Sequence, residues 1–83
     1  MHDYAIFFID TVRNSFPNAV EIYAKDNCYK FHLILKAVFP SASYYRNSTH
    51  VITKIRDRYY DITGEVEKTD HVSEIEYYSH NKN

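Results

Sequence analysis

The sequence predicts an α+β domain in which one central buried helix packs on a small antiparallel sheet. Three observations lead there. Residues 27–39 contain no glycine, end at Pro40, and carry apolar side chains at helical spacing. Residues 49–55 and 58–63 are rich in β-branched and aromatic side chains and flank a two-residue break, Arg56-Asp57, as the arms of a hairpin do. With 83 residues, 45% of them hydrophobic and 17% aromatic, the chain supports one small core and argues against disorder.

In chain order, Asp3 to about Phe16 reads as a first helix. Asp3 is its N-cap, Ala5, Phe8, Ile9, Val12 and Phe16 form its stripe, and Ile6 and Phe7 widen that stripe. Residues 19–24 alternate and read as a short strand with Val20, Ile22 and Ala24 on one face. Asp26 or Asn27 then caps the central helix, whose stripe is Cys28, Phe31, His32, Leu35, Val38 and Phe39. Leu33, Ile34 and Ala37 on the opposite side make that helix apolar nearly all round, so burial on every side is expected.

After Pro40, residues 42–45 form another extended piece and Arg46-Asn47-Ser48 a turn. The hairpin follows. Gly64, the single glycine, ends its second arm with a positive φ. Residues 65–78 fit a strand as well as a short helix capped by Asp70 and carrying Val72, Ile75 and Tyr78. Residues 79–83 form a polar end.

Charge and cysteine content narrow the function classes. A formal net charge of −1 provides no general attraction to nucleic acid or anionic lipid, so neither direct nucleic-acid binding nor membrane binding is expected. Met1-His2-Asp3-Tyr4 lacks the basic start and cleavage site of an export signal. One cysteine excludes an internal disulfide, which suits a cytoplasmic setting. Acidity is concentrated late: Asp61, Glu65, Glu67, Asp70, Glu74 and Glu76 face a single base, Lys68, between residues 61 and 78.

Three residues invite a chemical reading. A two-residue turn at Arg56-Asp57 sets Ile52 opposite Asp61 and leaves His50 diagonal to Asp61 on the same face, about 7–8 Å apart at the β-carbons. Cys28 opens a helix, where unpaired N–H groups favour a thiolate. Thiolate, imidazole and carboxylate together make an activated nucleophile, with the Cys28 amide and Asn27 as candidate oxyanion donors.

Asn27-Cys28-Tyr29 opening an apolar helix, then His50 to Ile55, then Tyr59 to Gly64, resembles the papain-like cysteine hydrolase superfamily in its broad sense, which includes transglutaminase-like and NlpC/P60-like domains. The resemblance covers roughly residues 26–64. It implies a papain-like minimal core with Cys28 as nucleophile, His50 as base and Asp61 as orienting carboxylate. The implied reaction is cleavage or transfer at an amide or related acyl bond of a protein or peptide, with no cofactor.

Plainer roles stand beside these. Cys28 lies on an apolar stripe, as a core thiol does, and His50 with Asp61 suits a structural pair. Cys28, His32 and His50 offer zinc ligands without a fourth at recognisable spacing, so no metal is expected. The tyrosine pairs 44-45, 59-60 and 77-78 suit strands with one ring inward and one outward. The competing function is a catalytically silent domain that inhibits a protein by binding it, as small proteins of phages and mobile elements do. Its binding surface would be Glu65, Glu67, Asp70, Glu74, Glu76, Tyr77 and Tyr78, and its partner a basic protein.

Overall fold

The computed structural model describes residues 2–15, 17–73 and 76. Among these residues three α-helical segments are followed by five strands: α1 (His2–Arg13), α2 (Ala19–Glu21), α3 (Cys28–Val38), β1 (Ser43–Arg46), β2 (Val51–Ile55), β3 (Arg58–Asp61), β4 (Gly64–Val66) and β5 (Val72–Ser73). The sheet order is β4-β3-β2-β1-β5, and every neighbouring pair is antiparallel. The helices pack on this sheet, α3 over β2 and α1 against β4.

α1 begins one residue earlier than its expected cap. Asp3 therefore lies inside the first turn, where a carboxylate complements the helix dipole. Ala5 and Ile9 are fully buried, with Ile6, Phe8 and Val12 packed beside them. Phe7 is 67% exposed, so the apolar stripe is narrower than its composition implies.

The expected strand at residues 19–24 is helical. α2 runs into a wider π-helical turn, Ile22–Asp26, closed by Asn27 N–H donating to Ile22 O at 3.1 Å. Ala19 and Tyr23 sit one helical turn apart: Ala19 is buried, and the Tyr23 ring lies 5.4 Å from that of Phe31. Alternation in so short a run is outweighed by packing against α3.

α3 has the expected span but not burial on every side. Phe31, His32 and Leu35 are buried, whereas Tyr29 and Leu33 are each 47% exposed. Asn27 occupies its N-cap position without a side-chain capping hydrogen bond. At the other end Lys36 Nζ donates to the carbonyls of Pro40 and Ala42, both at 2.8 Å, and fixes the chain reversal into β1.

The β2–β3 hairpin has the two-residue turn, with Ile55 opposite Arg58. Arg56 takes a φ of 59°, a left-handed value that side chains other than glycine rarely adopt. Gly64 has the positive φ, 119°, but it opens β4 opposite Asp61 instead of ending β3, so Ile62-Thr63 makes a second tight turn. Val72–Ser73 is strand rather than helix and joins the far edge of the sheet beside β1. Phe16, Ile75 and residues 79–83 lie outside the described residues.

Ala5, Ile9, Phe31, Leu35, Phe39, Ala42, Ile55, Tyr60 and Ile62 form the core between helices and sheet. Each large apolar side chain buried there contributes about 1.5–3 kcal/mol. Thr53 on β2 touches His32 of α3, and Ile55 joins the core, so Val51, Thr53 and Ile55 face the helices. The intervening residues Ile52 and Lys54 face away, with Tyr45 and Tyr59.

Candidate functional site

The β1–β2 loop and the end of β3 bring a polar cluster together. Asn47 organises it. Its Oδ1 accepts from the backbone N–H groups of Thr49 at 2.9 Å and His50 at 2.8 Å. Its Nδ2 donates to Asp70 Oδ1 at 2.9 Å, which ties the loop to the segment entering β5. A short Asn side chain that bonds the backbone two and three residues on is a common way to stabilise such a loop.

This loop delivers His50 to Asp61. His50 Nε2 lies 2.9 Å from Asp61 Oδ2, and because an ionised carboxylate only accepts, Nε2 carries the hydrogen. Asp61 is held from its other oxygen by the backbone N–H of Thr63 at 2.8 Å and by the Thr63 hydroxyl. Both side chains are mostly buried, at 24% and 13% exposure. The His71 ring packs 6.4 Å from that of His50. Burial pushes His71 below its ordinary pKa; His50 and Lys68 add to the lowering, and Asp70 and Asp61 oppose it.

Cys28 does not join this cluster. Tyr60 and Ile62 belong to the core facing α1 and α3, so Asp61 between them points to the other side of the sheet, and His50 follows it there. Cys28 opens α3 on the helix side, half-buried, and makes no hydrogen bond to either residue. Among the described residues the His50 ring hydrogen-bonds to the Asp61 carboxylate and to no thiol or hydroxyl. Asn27 is a candidate oxyanion donor, and its backbone N–H is already committed to Ile22 O. Cys28, His32 and His50 do not gather as a zinc site, and among the described residues no three of His, Cys, Asp and Glu are placed to hold a metal ion.

His32 has a different role. Its Nδ1 lies 2.8 Å from Thr53 Oγ1, and its ring packs against Tyr29 and Tyr44 inside the helix–sheet interface. Of the two other residues central to the polar cluster, Asn47 is placed by the sequence only in a turn and His71 is not singled out. The one available signal was Asn47 in a turn next to His50.

The late acidic residues differ in whether they are paired. Glu65 on β4 is paired with Arg58 Nη1 at 3.1 Å. Glu67, Asp70 and Glu76 are exposed and form no ion pair among the described residues. Hydrogen bonds from Asn47 and Thr69 hold the Asp70 carboxyl below its ordinary pKa. Glu74, Tyr77 and Tyr78 lie outside the described residues.

Fold and site together define a small α+β protein with a partly buried histidine–carboxylate pair. The chain belongs to the Phage YunG-like family: that family's model, described as Phage YunG-like protein, matches residues 8–83. This corrects the resemblance to the papain-like cysteine hydrolase superfamily, which rested on the order of Cys28, His50 and Asp61 along the chain. No curated protein and no solved structure gives a significant match. No helix among the described residues is long and apolar enough to cross a membrane.

Proposed function

We propose that this phage-type protein acts by binding and inhibiting a basic protein in the cytoplasm, not by catalysis. The observation that carries this reading is the separation of Cys28 from the His50–Asp61 pair by the sheet itself. A hydrolase needs the thiol and imidazole within hydrogen-bond reach. The pair instead braces the β1–β2 loop against the β3–β4 turn.

The charge pattern supports the nature of the partner. Glu67, Asp70 and Glu76 present carboxylates without neutralising partners among the described residues, and Asp70 is held ionised by its hydrogen bonds. Such a surface steers toward a basic one, for example a protein face that normally holds nucleic acid. Glu65 contributes less because Arg58 offsets it.

Alkylation of Cys28 by iodoacetamide across pH tests the non-catalytic reading. The rate profile is expected to be the same in wild type and His50→Ala. A profile that moves on removal of the imidazole would restore the enzyme. For the partner, a protein retained by wild type should be released by salt and lost with Glu67→Lys/Asp70→Lys/Glu76→Lys. Retention unaffected by those charge reversals would reject the acidic surface.

A further inference from the structure

The end of the sheet away from the His50 loop carries a second feature. Ser41, Ser43, Lys54 and Arg56 line an open pocket of about 410 Å³. Ser43 and Lys54 are direct cross-strand partners, and Arg56 occupies the turn that follows β2. Neither Lys54 nor Arg56 has an ion-pair partner among the described residues, although acids outnumber bases in the chain as a whole.

The pocket is built, not frayed. Lys36 Nζ ties down the carbonyls of Pro40 and Ala42, and Ala42 N–H donates to Phe39 O at 2.9 Å. These bonds fix the short segment that presents Ser41 and Ser43, and they place a second ammonium, that of Lys36, on the carbonyls of Pro40 and Ala42 either side of Ser41. Lys54 Nζ sits 5.9 Å from the ring centroids of both Tyr45 and Tyr59, which hold it in place by cation–π attraction while leaving its hydrogen-bond donors uncommitted. The two rings meet edge to face, 5.4 Å apart.

We propose that this pocket binds a phosphate group, either free or carried by a small molecule. An ammonium, a guanidinium and two hydroxyls around one pocket supply many donors, the set that a tetrahedral oxyanion satisfies. The volume exceeds that of a bare phosphate and leaves room for an attached group such as a nucleoside. Asp57, exposed in the same turn as Arg56, opposes the anion and keeps the affinity modest. This site is independent of the protein-binding surface and stands or falls separately from it.

The test is a titration of the full chain followed by amide chemical shifts, with inorganic phosphate, adenosine 5′-monophosphate and adenosine as separate probes. Saturable shifts centred on Ser43, Lys54 and Arg56 are expected with phosphate and with the nucleotide. The nucleotide binds more tightly if the attached group adds contacts of its own, and equally if free phosphate is the ligand. Lys54→Met and Arg56→Gln should each weaken binding at least about tenfold, the loss expected for one charge-assisted hydrogen bond. A thermal melt of each variant confirms that it is folded. Shifts that drift linearly without saturating, saturation centred elsewhere, or variants that are folded and bind like wild type would overturn the proposal.

Discussion

His32 and Thr53 meet 2.8 Å apart across the interface of α3 and β2, with exposures of 5% and 1%. They are the polar link in a contact otherwise made by Phe31, Leu35 and Ile55. Thr53→Val keeps the shape and removes the hydroxyl, which leaves an imidazole nitrogen buried without a partner. The expected loss is about 1–3 kcal/mol, read as a lower urea midpoint with unchanged slope.

The same pair sets a pH dependence. Burial, with help from the Lys36 charge, lowers the His32 pKa below 6.5. The unfolded chain therefore binds a proton more readily than the folded one. This part of the stability is fully present above pH 6.5 and declines as pH falls from there toward the folded pKa. His71, lowered chiefly by burial, acts in the same direction. Urea midpoints should fall on acidification from pH 6.5, and the slope should flatten in a His32→Gln/His71→Gln variant.

Leu35 is 0% exposed at the centre of the core. Leu35→Ala should destabilise by about 2–5 kcal/mol, the range for emptying a buried leucine site. A denaturation midpoint equal to wild type would place the core elsewhere.

The two residues with positive φ predict effects of opposite sign. Arg56 has a φ of 59°, so Arg56→Gly should stabilise by up to about 1 kcal/mol, because glycine relieves left-handed strain but adds unfolded-state entropy. Gly64 has a φ of 119° and the space around it is open enough for a methyl group, the nearest atom being Ile6 Cδ1 at 4.0 Å. Gly64→Ala is therefore expected to destabilise through backbone strain alone, by about 1–3 kcal/mol. Paired thermal melts check both.

Much of the fold was legible because periodicity and punctuation agreed. α3 ends just before Pro40, and the hairpin register follows from the two residues between Ile55 and Arg58. The site was harder to read because β2 is apolar on both faces. Val51, Ile52, Thr53 and Ile55 are all buried, so the sequence does not reveal which set faces the helix. A shift of one residue exchanges the faces, and with them the side on which His50 sits relative to Cys28. The His50–Asp61 contact needed only their shared face. A meeting with Cys28 needed the correct face, and the helices cover the other one. The segment at 19–24 misled for a different reason: its alternation is too short to outweigh packing between Tyr23 and Phe31.

The strand order carries a consequence for how the sheet is made. β1 to β4 pair with their immediate neighbours along the chain, and only β5 returns from a distance, setting Ser73 beside Tyr45. The local hairpins close cheaply and early, whereas β5 must wait until β1 presents a free border. Being two residues long, it adds few bonds once it arrives. The amides of Val72 and Ser73 should then be the last of the sheet to gain protection during refolding and the first to exchange with solvent afterwards, while those of Thr53 and Tyr60 persist to global unfolding.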